Sequence, residues 1–142
     1  MEETDMDTKQ FCKRHGIKAK VKHGVSARVL EQSTMDVDNM NHYTVTLTRR
    51  EDGKTKRMTV PFFQGYGIEH DPRAEDVLDC LASDAAGVEN ARSFEDWCSE
   101  YGYDTDSRTA ERIYKACEKL AEKLKNFMGS FYDSLLWDVK RL

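Results

Sequence analysis

The stretch His42–Phe63, "HYTVTLTRREDGKTKRMTVPFF", decides the fold. Its first part alternates Tyr43, Val45 and Leu47 with three threonines, and its last part alternates Met58, Val60 and Phe62 with polar partners. A period of two puts each set on one face of a strand. Asp52-Gly53 between them favours the positive φ angles of a tight hairpin turn. Pro61 has no amide hydrogen to donate, so this end of the second strand should lie at a sheet edge or at the end of pairing.

Upstream, Ile17, Ala19 and Val21 alternate with Lys18, Lys20 and Lys22, which predicts a strand with one wet face. Before it, "TKQFCKRHG" reads as a short helix capped by Asp7 or Thr8, with Phe11 and Cys12 inward and Gly16 as its stop. Arg28 to Glu31 extends the strand or begins an irregular connection, and "QSTMDVDNMN" reads as a loop. "QGYGIEHD" reads as a second, glycine-containing loop.

Downstream the period changes to that of helices. Asp71 is the expected cap and Pro72 the first helical residue, with Glu75 and Asp76 favourable at the positive end of the dipole. Ala74, Val77, Leu78, Leu81 and Ala85 form the stripe, and Gly87 is the expected end. Ser93 and Asp96 resemble a capping box for a short helix with Phe94, Trp97 and Cys98 inward, and Gly102 at its corner. Asp104 or Asp106 should start the longest helix, striped by Ile113, Cys117, Leu120, Leu124 and Phe127 and ended or kinked at Gly129. Ser130 and Asp133 are expected caps of a last helix with Phe131, Leu135, Val139 and Leu142 inward.

The expected fold is therefore α+β: a short N-terminal helix, a three-stranded antiparallel sheet, then three or four helices packed on it. One domain is expected over residues 1–142, with 1–8 an acidic flexible tail, 9–63 the helix plus sheet and 71–142 the helical part. A chain of 142 residues buries on the order of two-thirds of its unfolded surface and needs no staples. No apolar run approaches the roughly 18 residues of a membrane helix. The start, "MEETDMDTKQ", lacks the apolar core of a signal peptide. The reading is a cytoplasmic protein without a membrane partner.

Cys12, Cys80, Cys98 and Cys117 show no close pair, and each falls on the apolar side of an expected helix, so they read as buried, reduced side chains rather than zinc ligands. Asp104-Thr-Asp106-Ser begins like a calcium loop, but the sixth and twelfth positions hold Thr109 and Lys115 where Gly and Glu are needed. His15, His23, His42 and His70 form no helical ligand pair. No nucleophile elbow, phosphate loop or zinc-protease motif is present. No metal, cofactor or catalytic residue is expected. A third reading is a small enzyme built around His70 or Cys98.

Charge is segregated. Residues 9–57 carry twelve Lys or Arg against five carboxylates, and 69–108 carry twelve carboxylates against three arginines. The functional candidate is the acidic block, with Asp84, Glu89, Glu95, Asp96, Glu100, Asp104 and Asp106 as a surface that competes with nucleic acid for a basic groove. The alternative is nucleic-acid binding through Lys13, Arg14, Lys18, Lys20 and Lys22. The α-β-β-β-α order and "QFCKRHGIKAKV" resemble the double-stranded-RNA-binding domain. That domain needs lysines at the start of its second helix, and here "DPRAEDVLD" is acidic.

Three segments, "TVPFFQG" (Thr59–Gly65), Asp76–Arg108 and Ala110–Lys125, resemble a family of small proteins encoded in phages, prophages and gut metagenomes. The resemblance spans roughly the last two-thirds of the chain and implies a mobile-element origin. By analogy with that genomic class it implies a host-defence inhibitor of anti-CRISPR type. Its expected partner is a host nucleoprotein such as a CRISPR effector. The amphipathic terminal helices also suit a homodimer.

Overall fold

The computed structural model describes residues 7–32 and 37–139. The elements run α1 (Thr8–His15), β1 (Lys18–His23), α2 (Ala27–Gln32), β2 (Met40–Glu51), β3 (Lys54–Gly65), α3 (Ala74–Asn90), α4 (Phe94–Tyr101) and α5 (Arg108–Met128). A 3-10 turn (Gly129–Phe131), a short α6 (Tyr132–Ser134) and a π-helical turn (Leu135–Val139) follow. The fold is α+β, as the alternation and helical stripes require. Most of the expected acidic tail, part of the loop after α2, and Leu142 lie outside the described residues. The chain divides into two compact units, Thr8–Leu78 and the part from Asp79 onward, with the division inside α3.

In the first unit the sheet order is β1-β2-β3, all antiparallel. The hairpin closes at Glu51↔Lys54, with Asp52 at φ 51° and Gly53 at φ 78°. Two successive positive φ angles are what a two-residue turn needs to match strand twist. Tyr43, Val45, Leu47, Met58 and Val60 are buried on one face. Among the described residues, Phe11, Cys12, Ile17, Val37, Val77 and Leu78 are also buried in this unit. Each fully buried aliphatic side chain contributes on the order of 2 kcal/mol.

Arg49 continues the buried face at only 2% exposure and pairs through Nη1 with Glu51 Oε1 at 2.9 Å. Pro61 does sit on an edge strand, but not where pairing ends: it faces Thr44, and pairing continues to Met40↔Gly65.

Three expectations in this unit need correction. Residues 28–31 neither extend β1 nor form an irregular connection. They belong to α2, because Gly24 at φ 99° breaks the strand and Ser26 starts a helix. The Ser26 hydroxyl accepts from the Val29 amide at 3.3 Å, and its carbonyl accepts from the Leu30 amide at 3.2 Å. Asp71 does not cap α3, and Pro72 is not its first residue. The first helical carbonyl is that of Arg73, which accepts from the Val77 amide, and Asp76 Oδ2 accepts from the Arg73 amide at 2.9 Å. The Asp71 carboxylate instead accepts from His23 Nε2 at 3.0 Å.

In the second unit Leu81, Ala82 and Ala85 of α3 are buried, as are Ala121, Leu124, Phe127 and Met128 of α5 and Tyr132, Leu135 and Leu136 beyond it. Gly87 does not end α3, which runs on to Asn90. Its lack of a β-carbon instead makes room for the Tyr101 hydroxyl.

Ser107, not Asp104 or Asp106, caps α5, accepting from the Ala110 amide at 3.1 Å. Gly129 at φ 57° ends that helix as expected. Ser130 caps nothing: the helical turns continue through it, and the cap position before α6 is Phe131, with no side-chain hydrogen bond. Cys12 and Cys98 are buried and Cys117 half-buried, but Cys80 is exposed, contrary to expectation. It lies off the face of α3 that carries Leu78, Leu81, Ala82 and Ala85.

Candidate functional site

Helix α4 is held at both ends by its own sequence. The Ser93 hydroxyl accepts from the Asp96 amide at 3.2 Å, and Asp96 Oδ2 accepts from the Arg92 amide at 3.0 Å. Gly102, at φ 75°, turns the chain back so that the Tyr103 amide donates to the Cys98 carbonyl at 2.8 Å.

An aromatic cluster is built on Trp97, which is 4% exposed: Phe94 and Tyr101 lie on the same helix, and the return at Gly102 adds Tyr103. The Tyr103 ring stacks on it at 5.3 Å and 5°, Phe94 stacks from 6.4 Å, and Tyr101 tilts against it at 5.3 Å. Tyr114 of α5 meets both Trp97 and Phe94 edge-on at 5.2 Å. The outer members stay in water: Tyr101 is 51% and Tyr103 38% exposed. Rings held rigidly from below and wet above are the usual anchors of protein interfaces.

Carboxylates flank the residues of this cluster in the sequence. Glu95, Glu100, Asp104 and Asp106 are all exposed. Burial, then the charges of Glu95 and Asp104, push the Cys98 thiol pKa up. Burial, then Glu100, Asp84 and Cys117, do the same for the Tyr101 hydroxyl. Asp84, an exposed residue, has its own carboxyl pKa raised by the protein crowding it.

Four expected site residues, Asp84, Glu95, Glu100 and Asp104, therefore act electrostatically on the cluster and the Cys98 beneath it. Asp96 is engaged in capping. Asp104 Oδ1 also accepts from the Asp106 amide at 3.4 Å. Glu89 stands apart from these four. It accepts from the Tyr132 hydroxyl at 2.8 Å and lines an open groove of about 470 Å3 with Glu118, Glu122 and Lys125. Sequence reading missed Tyr101 and Tyr103 as surface groups, and Glu118 and Glu122 as groove acids. Glu118 and Glu122 carried a usable signal, their i, i+4 spacing on one helix face.

The alternative basic set divides. Lys18, Lys20 and Lys22 are exposed and share one sheet face, whereas Lys13 and Arg14 belong to α1. Among the described residues no group of three or more His, Cys, Asp or Glu could hold a metal ion. No described helix is long and apolar enough to cross a membrane.

The residues of the enzyme reading part ways. Cys98 has no exposed surface and a raised thiol pKa, which disfavours the reactive thiolate. His70 lines an open cleft of about 380 Å3 with His23, Tyr66 and Asp71, and its Nδ1 donates to the Asp71 carbonyl at 2.8 Å. Among the described residues, the lining of that cleft also includes His42, Tyr43 and Glu69.

Fold and surface together define an α+β chain with two exposed tyrosines held on a buried tryptophan and acidic residues acting on one of them. Comparison with known protein families, curated proteins and solved structures returns no match.

Proposed function

We propose that the chain is a phage-encoded accessory protein that acts in the bacterial cytoplasm by binding, and so inhibiting, a basic host-defence nucleoprotein of the CRISPR-effector kind. The contact surface is α4 with the turn after it. Tyr101 and Tyr103 are the central anchors, and Glu95, Glu100, Asp104 and Asp84 supply the charge. The observation that carries the reading is the pair of exposed tyrosines held against buried Trp97 beside carboxylates. Aromatic anchors contribute affinity, while matching charge speeds encounter with a positive groove and penalises neutral partners.

The test is protection of a phage from CRISPR interference in bacteria that express the chain, across a panel of effector types. Full protection by wild type and its loss in Glu95→Arg/Glu100→Arg and in Tyr103→Ala, with helical circular dichroism unchanged, is the expected result. No protection against any effector removes the defence target. Protection that survives both variants removes this surface.

A further inference from the structure

The open face of the sheet carries a different charge pattern. Lys18, Lys20 and Lys22 line β1, and register sets them beside Thr48, Thr46 and Thr44 of β2. Those threonines in turn face Arg57, Thr59 and Pro61 of β3. The three lysines, Arg57, Thr59 and Pro61 are all exposed. Positions of this parity in the three strands include no Asp or Glu. Among the described residues no ion pair is formed by the three lysines or Arg57. Arg50 is also on this side, but its guanidinium donates to Thr55 Oγ1 and the Gly53 carbonyl, both at 2.9 Å. One row beyond Thr44 and Pro61, the rings of His42 and Phe63 meet edge-on at 5.4 Å.

We propose that this face binds single-stranded nucleic acid, its backbone tracking the lysines of β1 and a base resting against Phe63. Alternate residues of a strand stand about 6.7 Å apart, so the lysines form one straight column suited to a single phosphate backbone. A flat face offers no helix or ribbon tip to enter a duplex groove. A ring beside a cationic track is useful only to bases free to unstack. The chain's net charge of −4 does not forbid this, because the strand positions that form this face hold no Asp or Glu. The inference is independent of the function proposed above, which uses the other compact unit and its acidic surface.

The test is fluorescence anisotropy of labelled dT20 with the full chain. Saturable binding is expected at 50 mM salt. With four cationic contacts it should weaken about fiftyfold at 200 mM. Lys18→Gln/Lys20→Gln/Lys22→Gln should weaken it at least about tenfold, and Phe63→Ala about fivefold. The idea is overturned by no binding at 50 mM, by binding that ignores the lysine variant, or by equal affinity for a 20-bp duplex or polyglutamate. Should the triple variant lose its circular dichroism, Lys20→Gln and Arg57→Gln are measured singly. Each must then weaken binding about threefold, and failure of either also overturns it.

Discussion

The Tyr101 hydroxyl occupies the space that a β-carbon on Gly87 would need. Glycine inside a helix costs about 1 kcal/mol relative to alanine. The offsetting gain is the Tyr101 ring lying against Trp97, a contact of about 1 kcal/mol. Gly87→Ala should therefore change stability little in wild type. It should raise stability by about 1 kcal/mol in a Tyr101→Ala background. Urea unfolding of the four proteins of this cycle measures the coupling, and an additive cycle would contradict the geometry.

The start of α5 separates two kinds of polar residue. Ser107→Ala removes the hydroxyl that accepts from the Ala110 amide and should cost about 1 kcal/mol. Asp106→Ala should cost less than about 0.5 kcal/mol, since Asp106 is exposed and does not cap the helix. Thermal melts of the two variants distinguish them.

Arg49 is a buried cation whose charge is met by a partly exposed Glu51. Glu51→Gln should destabilise by roughly 1–3 kcal/mol, because the guanidinium remains in a low-dielectric site with weaker compensation. Arg49→Met removes charge and desolvation cost together and should be better tolerated than the Glu51 change. Denaturant midpoints give the order, and the reverse order would assign Arg49 a net stabilising charge.

Alkaline solution should weaken the fold. Burial, then Glu75, pushes the Cys12 thiol up to about 12, and burial, then Glu89, raises the Tyr132 hydroxyl pKa. Both groups are neutral when protonated, so the folded chain keeps protons that the unfolded chain has released. Their contribution is complete below the unfolded values, about 8.5 for Cys and about 10 for Tyr. It fades as pH rises from there towards the folded values, by up to about 1.4 kcal/mol per pH unit for each group. Urea midpoints at pH 7, 9 and 10.5 should fall. Tyr132→Phe should be weaker at pH 7 through loss of the Glu89 hydrogen bond, and its fall above pH 10 should be shallower.

What could be read from the sequence was what neighbours in sequence dictate. The hairpin turn, the alternating faces of β2 and β3, and the stops at Gly16, Gly102 and Gly129 follow from local conformational preference. Helix starts were harder, because several acids and hydroxyls lay within reach of each. Ser107 prevailed over Asp104 and Asp106, and Arg73 over Asp71. Helix α2 is too short for its periodicity to register, and only the Ser26 cap announced it.

Gly87 looked like a stop because its purpose is set by Tyr101, fourteen positions away. The acids of the candidate site were visible as a charge block. The rings among them were only half visible: Tyr101 meets Trp97 through i, i+4 spacing within α4, a signal present in the sequence, whereas Tyr103 reaches Trp97 only after Gly102 reverses the chain.

Pro61 in mid-strand also limits what the sheet can become. β3 is an outer strand of twelve residues, long enough to recruit a further chain edge to edge. A residue without an amide hydrogen interrupts the ladder such a chain would need, and Lys54, Lys56 and Arg57 repel a second copy of the same edge. Pro61→Val would leave "TVVFF", a β-branched and aromatic run with no interruption, and should turn slow heating from reversible melting into fibre growth detectable by thioflavin fluorescence. One imino acid thereby closes the β3 side of the sheet to further strands.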